Sequence, residues 1–258
     1  MTSYTSTQCL GYPIFTDSLE RINLDNQVMV NTINQYSYCL AKKDKDFREA
    51  LLNSDILLPD GVGIVAASRF LNGNRIEKIA GADIHKFMLE KLNAECGSCF
   101  YMGASKKTLK KIKKRIAKEY PNIRVGKYSP PYRPFFSEKR SLKMINKVNK
   151  FQPDVLFIGM TAPKQEKWAH VYRSQLNAKV ICSIGAVFDF YAGTVKRPSK
   201  IWIDSGMEWL GRLLKEPRRM HERYLYYGAI FTYYLTREKY RLLFNRNDNK
   251  TKSTEVYK

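Results

Sequence analysis

Residues Val155 to Trp168 read VLFIGMTAPKQEKW and contain the pattern most indicative of the fold. It opens with an apolar run typical of a buried strand, and Pro163 suits the first turn of a helix. Lys164 and Gln165 then place polar groups just beyond the strand end. Further strand-like runs are found at Val28–Ile33, Asp55–Leu58, Cys99–Met102, Ile123–Gly126 and Val180–Ile184.

Amphipathic helical patterns separate these strands. They cover Asp83–Leu92, Lys106–Lys118, Glu138–Asn149 and Pro163–Leu176. Strands and helices in alternation predict an α/β fold, a Rossmann-like, mostly parallel sheet with helices on both faces. Past Lys196 the alternation stops, and the chain becomes helical, aromatic and basic. We therefore predict a Rossmann-like body over residues 1–195 and a helical C-terminal appendage over residues 196–258.

The chain of 258 residues has 45 Lys and Arg against 24 Asp and Glu, a formal net charge of +21. Residues 105–150 carry +14 of this excess and residues 196–258 carry +8. Such segments indicate a polyanionic partner. Charge alone does not decide whether this partner is nucleic acid, anionic lipid or a phosphorylated substrate. The chain has no recognisable motif for reading nucleic acid, so a nucleic-acid-binding protein is the weakest of these interpretations.

The sequence has no pattern of a signal peptide or a membrane span. The longest uncharged stretch near the C-terminus, Tyr224–Thr236, has 13 residues, whereas a span needs about 20. Five cysteines, an odd number without framework spacing, are typical of a reducing compartment. The three histidines lack chelating spacing, so we expect no metal bound by the protein.

Asp60 is the first candidate catalytic residue, because it follows a strand and precedes a helix opened by Gly61 and Gly63. Backbone N–H groups at such a helix start can approach a phosphate. A carboxylate at a strand end suits a general base, although capping the helix is an equally good interpretation. Gly61, Gly63 and Ala66, with Asp83 further on, also match a dinucleotide fingerprint, which leaves an NAD(P)-dependent oxidoreductase as an alternative.

Two other strand ends supply polar groups, at Gly159–Gln165 and at Gly185–Gly193 with Asp189. In parallel sheets the carboxyl ends of the strands meet at one edge, where ligands bind. Three polar strand ends at one edge favour a ligand site over ordinary loop capping.

Seven motifs in order along the chain extend this pattern. They are Thr32-x-Asn34, Asp60-Gly61 with Gly63, Gly81-x-Asp83, Pro130-Pro-Tyr132, Pro163-Lys-Gln-Glu166, Phe188 to Gly193, and Met207 to Arg219. Together they resemble the WecG/TagA/CpsF glycosyltransferases from about Leu10 to Arg223. Members of that family usually carry Arg where this chain has Lys78, and Lys cannot reproduce a bidentate Arg contact.

The resemblance implies an inverting enzyme that needs no cofactor. It would move N-acetylmannosamine, or a related hexose or uronic acid, from a UDP-sugar to a polyprenyl-diphosphate-linked N-acetylglucosamine in bacterial cell-surface polysaccharide synthesis. By the same resemblance Asp60 is the general base. The residues expected to bind the donor are Thr32, Asn34, Gly61, Gly63, Lys78, Asp83, Gln165 and Asp189.

In the absence of a metal, cationic side chains must hold the acceptor's diphosphate and stabilise the leaving group. The candidates are Arg212, Arg218, Arg219 and Arg223, and a spacing of four places the last two on one helical face. The alternative is a solvated basic face. Asp44-Lys45-Asp46, a DxD motif by its letters, is interpreted as solvated surface because it is remote from the strand ends.

Tyr227, Phe231 and Tyr234 or Leu235 recur at helical spacing beside Arg237, Lys239 and Arg241. This pattern predicts a membrane-associating face, with core packing or an oligomer contact as the alternative. The helix over Lys106–Lys118 has eight Lys or Arg around a narrow apolar stripe and faces either an anionic leaflet or solvent. We therefore expect a cytoplasmic protein, peripheral on the inner face of the plasma membrane. Whether it forms a homo-oligomer stays open.

Overall fold

The computed structural model describes residues 4–195, 202, 207–215 and 217–254, without the side chains of 215, 219 and 245–254. The strands are β1 (Ser6–Cys9), β2 (Tyr12–Phe15), β3 (Val28–Ile33), β4 (Ile56–Pro59), β5 (Ser98–Gly103), β6 (Arg124–Tyr128), β7 (Val155–Gly159) and β8 (Val180–Ser183). The helices of the body are α1 (Gln35–Ala41), α2 (Lys45–Leu52), α3 (Val62–Asn72), α4 (Gly81–Ala94), α5 (Lys106–Glu119), α6 (Glu138–Phe151), α7 (Lys164–Tyr172) and α8 (Val187–Tyr191). The C-terminal helices are α9 (Glu208–Lys215), α10 (Pro217–His221) and α11 (Tyr227–Thr254), with a π turn at Glu222–Tyr226 before the last.

The predicted parallel sheet is confirmed. Six strands pair side by side in the order β4-β3-β8-β7-β5-β6, and every pairing is parallel. All six strands therefore direct their carboxyl ends to one edge of the sheet. An antiparallel hairpin of β1 and β2, which the sequence pattern did not predict, pairs separately from this sheet.

Helices cover both faces of the sheet, as predicted. Alternate strand residues point to opposite faces, so Val28 and Val30 pack with α4, α5 and α8, whereas Met29 packs with α6 and α7. A third apolar cluster at the β4 edge joins the hairpin with α1, α2 and α3. These three clusters place the core immediately beneath the strand ends and fix their loops.

The stretch around the DxD motif differs from its interpretation as solvated surface. Asp44 caps α2 by accepting the N–H of Phe47 at 3.0 Å. Lys167 on α7 contacts the carboxylates of Asp44 at 3.0 Å and Asp46 at 3.1 Å. Asp46 is largely exposed, but Asp44 serves as a helix cap and an ion-pair partner between two helices.

The apolar stripe of the C-terminal helix is buried against the body, so its assignment to a membrane surface is wrong. Phe231 is only 6% exposed and belongs to the cluster formed by α1, α3 and the hairpin. Its ring meets Tyr38 of α1 edge to face at 5.5 Å, and Tyr234 meets the same ring at 5.9 Å. The stripe packs here because the body offers it an apolar groove, and burial there removes the same surface from water that a bilayer would.

The opposite side of this helix is exposed. Tyr226, Tyr233 and Tyr240 are 53%, 61% and 64% exposed, and Phe244 is 68% exposed. A spacing of seven residues keeps Tyr233 and Tyr240 on one face of α11, and Tyr226 lies in the π turn just before the helix. In the part of the chain that the structure describes, no helix is long and apolar enough to cross a membrane.

Candidate active site

Asp60 stands at the carboxyl edge of the sheet, where β3 and β4 end side by side. Ile33 pairs with Pro59 in the parallel register, and the N–H of Asp60 donates to the Ile33 carbonyl at 2.9 Å. The N-cap position of α3 is occupied by Gly61, and no side chain caps this helix. The interpretation of Asp60 as a helix cap is therefore wrong, and its carboxylate is left for another task.

Two glycines allow the loop after β4 to lie close to the start of α1. Gly61 has φ of +108°, which side chains rarely adopt. A Cβ on Gly63 would lie 2.9 Å from Oε1 of Gln35. Gly61 is thus required by its backbone conformation, whereas Gly63 makes room for the Gln35 side chain. Neither glycine adds a side chain over the start of α3, where N–H groups can approach an anion.

Four charged side chains from three segments act on the Asp60 carboxyl: two from α9, one from the loop before α4 and one from α4 itself. Burial raises the pKa of Asp60, and the negative charges of Glu208 and Asp83 add to this rise. The positive charges of Arg212 and Lys78 oppose it. A carboxylate with a raised pKa is a good proton acceptor, and the cations beside it can stabilise an anion that forms nearby.

Arg212 brings the C-terminal segment to this edge. Its guanidinium contacts Glu208 at 2.7 Å and lies 4.7 Å from the ring centre of Phe190, next to the predicted donor-binding Asp189. Lys78 reaches the other oxygen of Glu208 at 3.9 Å. Glu208 therefore links the two cations, one from α9 and one from the loop before α4.

Sequence reasoning missed Glu208 and Tyr224 as members of this site. Tyr224 forms a hydrogen bond with Arg212, and its hydroxyl also lies in the field of Arg223. The i,i+4 spacing of Glu208 and Arg212 was the available signal for the first. No local pattern identifies Tyr224, because its partner lies twelve residues away across a helix boundary.

The residues expected at the end of β3 are partly engaged in helix capping. Asn34 caps α1, since its Oδ1 accepts the N–H of Ser37 at 3.0 Å. Its side-chain NH₂ group takes no part in this cap and is the group that can meet a ligand. Thr32 is half-buried in β3 and pairs with Leu58 of β4. Leu58 lies two residues before Asp60.

Asp83 caps α4 by accepting the N–H of Ala80 at 2.8 Å. This placement disagrees with the dinucleotide fingerprint, which belongs to a βαβ unit of about 30 residues with one crossover helix. Here both α3 and α4 separate β4 from β5, and Asp83 begins the second of them. Its negative charge nevertheless contributes to the raised pKa of Asp60.

Gln165 lies where β7 and β8 end. Its Oε1 accepts the N–H of Met160 at 3.0 Å, and its Nε2 donates to Oε1 of Glu166 at 2.8 Å. The same amide faces Gly185, where a Cβ would lie 3.4 Å from Nε2. The side chain is held by both hydrogen bonds, with its amide group against the loop after β8.

Asp189 is turned toward α5. Its Oδ1 accepts from the hydroxyls of Thr194 at 3.0 Å and Thr108 at 3.4 Å. No contact among the described residues joins this carboxylate to Asp60, although the neighbouring Phe190 reaches Arg212.

The other three candidate arginines do not lie at one place. Arg223 lies 4.4 Å from the ring centre of Tyr36 on α1, close to the end of β3. Arg218 is exposed at the start of α10. The side chain of Arg219 lies outside the described residues, so the structure places only its backbone.

No group of three or more His, Cys, Asp or Glu residues that could hold a metal ion lies within the described ranges. His85 is a core residue: its Nε2 lies 2.6 Å from the Tyr101 hydroxyl, and burial lowers its pKa to about 3. The site thus offers a carboxylate base, cationic side chains and backbone N–H groups, the set that suits transfer onto or from a diphosphate.

Known proteins are similar to this chain over most of its length. The model of the glycosyl transferase WecG/TagA/CpsF family matches residues 6–244. An N-acetylglucosaminyldiphosphoundecaprenol N-acetyl-beta-D-mannosaminyltransferase of Bacillus subtilis (strain 168) is 34% identical over 207 residues, which are 80% of this chain and 79% of the relative. A protein of the same name from Bacillus spizizenii (strain W23) is 29% identical over the same shares, and one from Staphylococcus aureus (strain MW2) is 24% identical over 76% of this chain and 75% of its own.

The parallel sheet and the motifs at its carboxyl edge agree with these matches, and the family model covers the body together with most of the C-terminal helices. The chain belongs to the WecG/TagA/CpsF family of glycosyl transferases.

Proposed function

We propose that this protein transfers N-acetylmannosamine, or a closely related hexose, from a UDP-sugar to a polyprenyl-diphosphate-linked N-acetylglucosamine with inversion. The names of the relatives supply the substrates. The observation that carries the proposal is the half-buried Asp60 carboxyl at the sheet edge, with Arg212 and Lys78 beside it. An oxidoreductase has no comparable support, because Asp83 caps a helix.

In the proposed reaction Asp60 accepts the proton of the acceptor hydroxyl as its oxygen attacks the anomeric carbon. The bond between that carbon and the UDP oxygen breaks, and its electron pair leaves with UDP. The raised pKa of Asp60 makes the carboxylate a better proton acceptor than an exposed aspartate. Arg212 and Lys78 provide the positive charge that the departing diphosphate requires.

The donor contacts would come from three strand ends. Thr32 lies in the last two residues of β3, the NH₂ group of Asn34 follows this strand, and Gln165 follows β7. Gly61 and Gly63 let the diphosphate approach the start of α3. Asp83 and Asp189 would act at the sugar or ribose hydroxyls, because both are carboxylates with free acceptor capacity.

The acceptor's diphosphate would bind to arginines of the C-terminal helices. Arg212 and Arg223 are the members that the structure brings to the strand edge, and Arg218 lies exposed between them along the chain. Arg219 belongs to the same proposal on sequence alone.

The membrane contact would be made by an exposed aromatic stripe, defined as Tyr233, Tyr240 and Phe244 of α11 together with Tyr226 of the preceding π turn. Tyrosines and flanking cations suit the headgroup layer of an anionic leaflet. Arg237 and Arg241 lie exposed among them. This arrangement supports a peripheral protein on the inner face of the plasma membrane, where a lipid-linked acceptor is presented.

The test is a transfer assay with a panel of UDP-sugars and a short-chain lipid-diphosphate acceptor. Asp60→Asn keeps the shape of the side chain but cannot accept a proton, so transfer should be abolished while calorimetry still detects UDP binding. Asp46→Asn, at an exposed carboxylate, is the matched control and should keep full activity. Full residual activity of Asp60→Asn would remove this carboxylate from the mechanism.

A thermal-shift comparison of UDP-sugar with NAD(H) addresses the other enzyme class. A ligand at 100 times its dissociation constant stabilises the folded protein by about 2.7 kcal/mol. We expect the shift with the UDP-sugar alone, and a shift with NAD(H) alone would favour the oxidoreductase.

A further inference from the structure

Glu166 is a buried carboxyl that the reaction described above does not use. It lies in the first turn of α7 and is 2% exposed. Its Oε1 accepts from Nε2 of Gln165 at 2.8 Å, and its Oε2 has no hydrogen-bond partner among the described residues. Burial raises its pKa to about 7, and no cation is among the groups that act on it.

Stability does not account for this carboxyl. Burying an ionisable group without a cation or a full set of hydrogen bonds lowers the free energy of unfolding, and an apolar side chain of the same size would avoid that loss. Its one side-chain partner, Gln165, belongs to the proposed donor pocket. The hydrogen bond between Glu166 and Gln165 therefore points to a role in the proposed donor pocket.

The contact determines which way the Gln165 amide points. The N–H of Met160 can only donate, so it selects the amide oxygen. An ionised Glu166 carboxylate can only accept, so it selects the amide nitrogen. With both neighbours in place the amide cannot rotate by half a turn without losing two hydrogen bonds.

One N–H of the Gln165 amide is left over after these contacts. The amide group lies against the loop after β8, where a Cβ on Gly185 would lie 3.4 Å from Nε2 and 3.5 Å from Oε1, so the missing side chain leaves room beside the amide. An oxygen of a ligand at the strand edge can accept from this N–H.

We infer that Glu166 is a positioning residue, which acts through Gln165 to present one amide N–H to a phosphate or sugar oxygen of the nucleotide-sugar donor. This inference rests on the proposed function, and it adds a residue that touches neither substrate. Its effect should appear in KM for the UDP-sugar. A fixed amide N–H stabilises the bound UDP-sugar in the ground state and in the transition state alike.

The experiment compares Glu166→Ala, Glu166→Gln, Gln165→Ala and the double variant Glu166→Ala/Gln165→Ala in steady-state transfer. Glu166→Ala should raise KM for the UDP-sugar about tenfold with kcat changed less than threefold, which is the loss of one hydrogen bond of about 1.4 kcal/mol. Glu166→Gln retains an acceptor oxygen and should recover most of this loss. In the Gln165→Ala background, Glu166→Ala should change KM less than twofold, because its effect runs through the missing amide.

Ser141→Ala, on the neighbouring helix α6 and in contact with α7, is the matched control. It removes the hydrogen bond from Nε1 of Trp168, 3.2 Å from the Ser141 hydroxyl, and should lower stability without changing KM for the donor. An unchanged KM in Glu166→Ala, or a full additional loss in the Gln165→Ala background, overturns the inference while leaving the proposed function intact. A wild-type protein that neither binds UDP nor transfers sugar overturns both.

Discussion

Replacing Phe231 with Ala should release the C-terminal helix from the body. The side chain is 6% exposed and meets Tyr38 edge to face at 5.5 Å. Substitutions of buried Phe by Ala lower the free energy of unfolding by ~3–5 kcal/mol. At the lower value the melting temperature should fall by about 6–12 °C.

Tyr233→Ala, two residues along the same helix, is the matched control. This side chain is 61% exposed, so its loss should change the free energy of unfolding by less than about 0.5 kcal/mol. It should instead weaken binding to vesicles of phosphatidylglycerol and phosphatidylcholine. If the membrane covers about 40 Å² of the ring, the loss is ~1 kcal/mol, or about fivefold in partitioning.

Urea denaturation and vesicle sedimentation separate the two faces. We expect Phe231→Ala to lower stability and transfer activity, because α11 continues the segment that holds Arg223 beside Tyr36. If Tyr233→Ala destabilises the protein as strongly as Phe231→Ala, or if only Phe231→Ala weakens vesicle binding, the assignment of the buried and exposed faces is refuted.

Three further substitutions test the site and its frame. Arg212→Lys keeps the charge but loses the guanidinium fork held by Glu208, so kcat/KM for the lipid acceptor should fall about 10–100-fold, and a value within twofold of wild type would contradict its role. Glu208→Gln removes a negative charge that raises the pKa of Asp60, so the acid limb of the pH dependence of kcat/KM should move to lower pH, and an acid limb that stays in place would count against Asp60 as the base. Gly103→Ala puts a Cβ 2.2 Å from the carbonyl oxygen of Gly159 at φ of +125°, so the free energy of unfolding should fall by ~2–3 kcal/mol, and an unchanged urea midpoint would contradict this.

Hydrophobic runs made the sheet predictable. β3 begins and ends at the predicted residues and β7 begins at the predicted Val155, because strands buried on both faces read as largely apolar segments. The hairpin of β1 and β2 escaped prediction, since β1 reads Ser-Thr-Gln-Cys and has no apolar run like those of the sheet strands. Its inner residues, such as Tyr12 and Ile14, are buried only because helices of the body cover them.

The strand-end rule located the centre of the candidate site. Asp60 and Gln165 both lie at the carboxyl edge, as the parallel arrangement required. The rule could not supply Glu208 or Tyr224, which reach Asp60 and Arg212 from the C-terminal helices. Contacts between segments so far apart in sequence leave no periodic signal in either segment.

By itself the sequence determined the fold class, the strand-end residues and the amphipathic character of the C-terminal helix. Its pattern required that Phe231 and its neighbours leave water, and equally allowed a bilayer, a second copy or the body to receive them. In the folded protein the body receives them, because α1, α3 and the hairpin together form an apolar groove. The physical reason is that the hydrophobic effect is non-directional: it determines that a face is buried, whereas the shape of the surrounding protein determines what buries it.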